Sequence, residues 1–488
     1  MTSTISPPLV RTSYIDGRWL DDPEAKVVET HDPAHPDEVV ARYALASADD
    51  VRRAVAAAAA AAPVLAETTA AERHDLVHDF LSRWTSRQDE LAEIATREMG
   101  KARQESYGET VRAIFEARFW AGETLRVGGQ TYPSTRPNTD IATVRQPLGP
   151  VAAVTPWNFP ILTPIRKVVP ALVNGCPVLL KPAMQAPGAS VIIAELFAEL
   201  GLPAGAFSLI LGAGREAGTI LVDEPAVAGI TFTGSTEVGL SIATRAAARN
   251  ARVQLEMGGK NSAVVAAVSD VDRVAKEIIG SAFTASGQRC TSISRVIVLR
   301  EVQAELEEAL VRHAAELVVG HGLEAGTTMG PVVDRAAFDR AHRYIREAQA
   351  AGARLLTGTD ASSADADGGY FIPPTILSDV AAGSALAVDE VFAPVLAVIP
   401  VADLDEAIAV TNETQYGLTA SVFADDASDA RRVAMASRTG MVHINHGTTS
   451  EGHIPFGGVA QSGQGAYGIG ATSSEFFTNL KVIYDQHV

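Results

Sequence analysis

The feature that most constrains this chain is a doubled series of short apolar runs alternating with amphipathic stretches. β-Branched runs at 150–154, 176–180, 208–211 and 229–232 read as buried strands with helical spacing between them. A second series follows at 262–266, 295–299, 395–400 and 441–444. Strands that run parallel need long crossovers, which helices supply, so each series predicts an α/β unit around a parallel sheet. Upstream, Ile15-Asp16-Gly17-Arg18-Trp19 reads as strand-turn-strand, an Ala-rich stretch at 49–67 favours helix, and more helix is expected from 71 to about 125. Two pieces fit neither series: 128–146 is polar and rich in turn residues, and 475–484 alternates like an exposed strand, an edge that invites pairing with another subunit. Residues 360–369 form a Gly/Ser/Asp-rich loop signal.

At roughly 150 residues per domain, 488 residues allow two or three domains and a large core. The first residues carry neither a basic segment nor an apolar one, so no targeting peptide and no membrane span are expected. With two cysteines, Cys176 and Cys290, a disulfide framework is not expected, and a reducing, cytoplasmic setting follows. A formal net charge of −18 argues against nucleic acid or an anionic membrane as partner, because both require clustered cations.

Several local patterns carry chemistry. The strand-like run ending at Phe232 enters Thr233-Gly234-Ser235-Thr236-Glu237-Val238-Gly239, where backbone N–H groups and a helix N-terminus can meet a phosphate; an ordinary cap by Ser235 or Thr236 explains the same residues. Gly212-Ala213-Gly214 is a weaker glycine cluster, since Gly218 comes one place too late for a dinucleotide fingerprint. Cys290 stands after Ser286-Gly287-Gln288-Arg289, where a turn and a cation suit an accessible thiol of lowered pKa; an isolated cysteine is more often buried structure, which is the reading for Cys176. Glu256 lies between an apolar run and two glycines, placed either as a partly desolvated base or as a capping acid. Asn158 offers an amide for a developing oxyanion, or an Asx-turn before Pro160.

Taken together these patterns resemble the aldehyde dehydrogenase superfamily. Pro156-Trp157-Asn158-Phe159-Pro160, Lys181-Pro182-Ala183, Phe232-Thr233-Gly234-Ser235-Thr236, Glu256-Met257-Gly258-Gly259-Lys260, Gly287-Gln288-Arg289-Cys290, Glu390-Val391-Phe392 and Pro455-Phe456-Gly457-Gly458 occur in that family's order and at its spacings. The resemblance implies NAD(P)-dependent oxidation of an aldehyde to a carboxylic acid. Cys290 is then the nucleophile, Asn158 and the Cys290 N–H the oxyanion hole, and Glu256 the base that activates water. Lys181 is expected on the adenosine ribose, Ser235 on the pyrophosphate, Glu390 on the nicotinamide ribose and Phe392 beside the ring. Thr155, Pro156, Trp157, Met184, Gly214, Phe232 and Gly234 complete the expected cofactor contacts, and no metal is expected. The implied fold is a doubly wound Rossmann-like cofactor domain (1–127 and 147–257), an α/β catalytic domain (258–470) and a small β oligomerisation element (128–146 and 471–488), assembled as a homodimer or homotetramer.

The chain also departs from the family pattern. Many NAD-specific relatives carry an acid where Met184 stands, so acceptance of both NAD and NADP is expected, with Arg215 a candidate for the 2′-phosphate. Arg166 and Ser450 resemble positions that bind the remote carboxylate in succinate-semialdehyde dehydrogenases, although Thr284 stands where that subfamily has a second arginine. With Leu162 and Phe456 they form the expected substrate site, and a short acid-bearing semialdehyde, succinic or α-ketoglutaric, is the expected substrate. The alternatives are an aromatic aldehyde of the vanillin or benzaldehyde type, a CoA-acylating relative and a non-catalytic relative. The presence of Glu256 favours hydrolysis over CoA acylation.

Overall fold

A computed structural model describes residues 10–358 and 368–487. The opening residues 1–8 and most of the loop read at 360–369 lie outside the described residues.

The first series forms a parallel sheet. Its strands Val151–Thr155, Val178–Pro182, Phe207–Leu209 and Gly229–Thr233, and a fifth, Arg252–Glu256, that is not among the four runs, all run in one direction. Val151–Thr155 lies in the middle, the next two strands are added on one side, and the last two on the other. Successive residues enter opposite cores: Val151, Ala153, Val178 and Leu180 on one face, Ala152, Leu179 and Ile230 on the other. That two-sided burial is why these strands read as unbroken apolar runs. Helices Ala70–Trp84, Arg103–Glu123, Leu162–Val173 and Gly188–Ala198 cover the first face, bringing in Phe80, Trp84, Trp120 and Phe197. Ala48–Ala66 and Thr236–Ala247 cover the second. Ser47 starts Ala48–Ala66 with a capping box, accepting from the Asp50 N–H while the Asp50 carboxylate accepts from the Ser47 N–H.

The second series forms a seven-stranded sheet around Asn261–Val265. Ile293–Leu299, Val395–Val401 and Thr375–Ser378 lie to one side of it, and Thr419–Phe423 and Met441–Ile444 to the other. Thr375–Ser378 and Thr419–Phe423 are absent from the sequence reading because hydroxyl residues interrupt their apolar pattern. Three of the four hydroxyls find internal partners: Ser378 donates to Glu307, Thr375 donates to Pro373 O at 2.8 Å, and Thr419 Oγ1 is 3.2 Å from His443 Nδ1, while Ser421 Oγ is buried without one among the described residues.

The two leftover pieces meet in a separate antiparallel sheet. Thr478–Gln486 pairs with Thr139–Pro147 along its whole length, and Thr131–Tyr132 pairs with the other edge of Thr139–Pro147. The tail is not strand throughout, since Ser474–Phe477 is a helical turn. A strand would send Phe476 and Phe477 to opposite faces, whereas the turn buries both in the first core. Gly463–Gln464 also returns to the first sheet, pairing antiparallel with Arg252–Glu256. Near the N-terminus Val27–Asp32 and His35–Ala44 form a hairpin, joined by Val10–Arg11.

Candidate active site

A doubly wound sheet leaves a crevice where its strand order reverses, beyond the carboxyl ends of its strands. Here the reversal lies between Val151–Thr155 and Gly229–Thr233. Their continuations, Pro156-Trp157-Asn158 and Gly234-Ser235, line a cavity of about 610 Å³. The second sheet faces the same cavity with its amino ends. Glu256 closes a strand of the first sheet, the chain crosses through Met257-Gly258-Gly259, and Asn261–Val265 opens the second. Cys290 likewise stands just before Ile293–Leu299, and Glu390 and Phe392 just before Val395–Val401. Residues far apart in sequence therefore meet between two rigid sheets.

The turn ahead of Cys290 is held in an unusual backbone state. Ala285, Ser286 and Gly287 all have positive φ, at 52°, 58° and 70°. Side chains hold this turn: Ser286 Oγ donates to Gly330 O at 2.7 Å, and the Ala285 N–H donates to Glu105 at 2.7 Å. Beyond it, Asn158 Nδ2 donates to Gln288 O at 2.8 Å, leaving its second N–H free, and Asn261 Nδ2 donates to Cys290 O at 2.7 Å. Asn158 is fixed from behind by Lys101, whose Nζ donates to Asn158 O at 3.2 Å and pairs with the fully buried Glu109. Glu109 in turn accepts the Ile161 and Leu162 N–H groups at 2.8 and 2.7 Å.

Cys290 is partly open to the cavity, while Cys176 is buried and donates to Phe477 O at 3.2 Å. The expected low thiol pKa is not found in this state. Desolvation, with the Glu390 and Glu256 carboxylates, pushes the Cys290 thiol up to about 12, against Arg166 and Arg289. The neighbouring cations are outweighed by removal from water, so the thiol needs a base. Burial likewise raises Glu256 well above the ordinary carboxylate range, opposed by Lys167 and Arg166. Glu256 Oε2 is buried without a hydrogen-bond partner among the described residues, an unmatched acceptor beside the cavity. Lys167 Nζ donates to Thr231 Oγ1 at 2.9 Å, and burial lowers its pKa.

The opposite part of the cavity fits a dinucleotide. Ser235 stands at the N-cap of Thr236–Ala247 yet makes no capping bond, so its hydroxyl and the first-turn amides remain open to an anion. Glu390 Oε1 accepts the Gly259 N–H at 2.8 Å, and burial pushes its carboxyl up to about 7. Phe392 meets Trp157 edge-on at 5.6 Å, giving a flat apolar wall.

The cavity brings together Asn158, Glu256, Cys290, Pro156, Trp157, Gly234, Ser235, Glu390 and Phe392, with Leu162, Arg166, Ser450 and Phe456 at the other end. Thr155, Lys181, Met184, Gly214 and Phe232 are not among its walls. Phe232 is buried beneath Gly234, where an added Cβ would stand 2.5 Å from its ring. Thr155 is buried at its strand end. Lys181 is buried, donates to Pro182 O at 3.2 Å and runs beside the short helix Gly214–Gly218. Met184 lines a neighbouring cavity, which shares Gln185 with the first.

Arg166 is not free, because it forms a two-pronged pair with Glu116 at 3.1 and 2.7 Å. Three further arginines line the cavity: Arg112, Arg289 and Arg340, the last with its Nε donating to Val391 O at 3.1 Å between Glu390 and Phe392. Arg112 went unnoticed in the sequence, as did Lys101, Glu105, Glu109 and Glu116. A signal was present: 105, 109, 112 and 116 repeat at steps of four and three, which places them on one face of a helix. Charge on that face ordinarily means solvent, and here it means the active site.

Comparison with known proteins agrees with this geometry. The profile of the aldehyde dehydrogenase family matches residues 19–483. The chain is 36% identical to an alpha-ketoglutaric semialdehyde dehydrogenase of Bacillus subtilis, covering 99% of each chain. It is 35% identical to an NADP(+) succinate-semialdehyde dehydrogenase of Escherichia coli, covering 93% of this chain and 94% of that one. It superimposes on a betaine aldehyde dehydrogenase of Staphylococcus aureus solved with NAD+, with TM-score 0.93, 30% identity, and coverage of 98% and 94%.

Proposed function

This chain belongs to the aldehyde dehydrogenase family, enzymes that oxidise aldehydes with NAD or NADP, and from that membership we propose that its substrate is a short aldehyde ending in a carboxylate. The observation that carries this reading is the wall of the cavity beyond Cys290, where the guanidinium groups of Arg112, Arg166 and Arg289 gather and only Arg166 is paired with a carboxylate among the described residues. Semialdehydes with four or five carbons put an acid group at that end while the aldehyde meets the thiol.

The chemistry follows from the groups present. Cys290 adds to the carbonyl carbon, and its proton passes to Glu256, which burial has made more basic. The oxyanion that forms is held by the free N–H of Asn158 and the Cys290 N–H. A bound dinucleotide supplies the hydride acceptor, held by Ser235 with the first-turn amides, by Glu390 and by Lys181. A thioester on Cys290 remains. Glu256, having passed the thiol's proton to solvent, takes a proton from water, the hydroxide so formed attacks the thioester, and the acid leaves as the sulfur takes that proton from Glu256. The first sheet serves the dinucleotide, the second presents the nucleophile, and the three-stranded sheet joins subunits into a homodimer or homotetramer. The two free cysteines suit a reducing, cytoplasmic setting.

The test is a panel of succinic, glutaric and α-ketoglutaric semialdehydes, unbranched neutral aldehydes and vanillin, each with NAD and with NADP. The semialdehydes are expected to give the highest kcat/KM, with turnover on both cofactors. Cys290→Ala is expected to abolish oxidation. A preference for vanillin or for neutral aldehydes would overturn the substrate assignment.

A further inference from the structure

Three of the cavity's four arginines, Arg112, Arg166 and Arg289, stand near one another and are not equivalent. Arg166 is matched two-prong to two-prong by Glu116, whose side chain is only 3% exposed, and its face lies 5.4 Å from the Phe456 ring. Its charge is neutralised and its fork is occupied. Arg289 turns to the loop that follows Met441–Ile444, with Nη2 donating to Thr291 Oγ1 at 3.3 Å and to Thr448 O at 3.4 Å. Arg112 has no carboxylate partner within ion-pair distance among the described residues. Its Nη2 donates to Ser450 Oγ at 2.6 Å and to Ser450 O at 3.4 Å. A guanidinium has five N–H donors, so most of its fork is free.

We propose that Arg112, supported by Ser450, is the residue that grips the remote carboxylate of the substrate, and that Arg166 is a paired wall residue. This rests on the acid-bearing semialdehyde reading and names the group that enforces it. Arg112 lines both the inner cavity and a second hollow formed with Phe115, Glu116, Thr449, Ser450 and Gly452, so it stands at the junction of the aldehyde chamber with its approach. A carboxylate held there leaves the rest of a short chain extending inward. The electrostatics agree in direction, because burial, with the neighbouring Arg166 and Arg289, outweighs Glu116 and Glu109 and disfavours the charged form of Arg112, a cost that an incoming anion relieves. Ser450 fixes one prong and retains a hydroxyl that can turn its proton to the same carboxylate. Arginine suits the task because its planar fork matches a carboxylate with two parallel bonds.

The test compares 5-oxopentanoate with pentanal, equal in length and differing in the terminal acid. The wild-type enzyme is expected to favour the acid in kcat/KM. In Arg112→Met that ratio is expected to fall about 10–100-fold, the worth of a hydrogen-bonded charge contact, with KM for the acid rising more than kcat falls. Arg112→Lys keeps the charge without the fork and should fall between. The charge-balanced double variant Arg166→Met/Glu116→Gln should retain the preference for the acid. A readout independent of turnover is the thermal stabilisation of the protein by glutarate, expected in the wild type and lost in Arg112→Met. The proposal is overturned if Arg112→Met keeps the wild-type ratio, if it weakens both aldehydes equally as loss of a mere loop anchor would, or if the double variant is the one that abolishes the preference. A wild type with no preference for the acid removes the substrate reading itself, whereas a preferring wild type with an indifferent Arg112→Met removes only the grip.

Discussion

Glu256 is suited to act as a base by where its strand ends. Leaving the first sheet, it is buried in the cavity wall, and desolvation raises its carboxyl pKa despite Lys167 and Arg166. The working form in hydrolysis is the carboxylate, which is populated as pH rises through the elevated value. Turnover limited by thioester hydrolysis is therefore expected to increase with pH well beyond the ordinary carboxylate range. In Glu256→Gln that limb should vanish and steady-state kcat fall by about 10²–10⁴-fold, while the burst of reduced cofactor keeps its single-turnover amplitude but is slowed by loss of the base that takes the thiol proton, as stopped-flow absorbance against pH can establish. A persisting limb would assign it to another group, Lys167 first. A second residue-scale prediction concerns Glu390. A Cβ added at Gly258 would stand 2.2 Å from Glu390 Oε2, the free end of a side chain, so Gly258→Ala should displace that carboxylate more than it strains the backbone. KM for the cofactor is expected to rise about tenfold with a change in Tm of a few degrees at most. Cys290, Glu256 and Asn158 were legible because each sits in a short run of distinctive residues. The thiol's actual state was not legible, since Arg289 beside it in sequence is overruled by desolvation and by Glu390 and Glu256 from other elements.

At the scale of elements, the helix Arg103–Glu123 supports the site more than any other. Its stripe of Glu105, Glu109, Arg112 and Glu116 reaches the Cys290 turn, the Asn158 segment, the Ser450 loop and Arg166 in order along one face. Lys101 and Glu109, each 1% exposed, form a buried pair that also caps the amides at the start of Leu162–Val173. Removing one charge of such a pair leaves the other without compensation, so Glu109→Gln is expected to cost about 3–5 kcal/mol in urea unfolding and to lower kcat by loosening Asn158. A loss under 1 kcal/mol would mean that water replaces the carboxylate. The strands of both sheets were legible where apolar residues cluster, as at 151–154 and 296–299. Thr419–Phe423 was not, because Thr419 and Ser421 look like turn chemistry in sequence, whereas both are buried and Thr419 Oγ1 meets His443 of the neighbouring strand. The charged helix face stayed hidden for the same reason: sequence periodicity identifies the face, and only the tertiary fold reveals that it points inward.

On the scale of the whole molecule, the three-stranded sheet stands apart from the two large ones in what it leaves exposed. After Thr478 every residue of Thr478–Gln486 is exposed, with Leu480, Val482 and Tyr484 on one face and Ile483 on the other. A strand bonded along its full length to Thr139–Pro147 gains its hydrogen bonds within the chain, but its apolar side chains gain nothing until a second surface covers them. The chain's net charge of −18 repels other copies at long range, so association must come from short-range apolar contact at such a patch, and added salt should strengthen it by screening. Val482→Asp places a charge in the centre of that face and adds to the repulsion. For the proposed homodimer or homotetramer it is expected to shift the mass towards monomer in light scattering, while circular dichroism stays native because the cores of both large sheets are untouched. If the mass is unchanged in Val482→Asp and in the double variant Leu480→Asp/Tyr484→Asp, subunits join through another surface, and the tail serves only to bring Phe476 and Phe477 back into the first core.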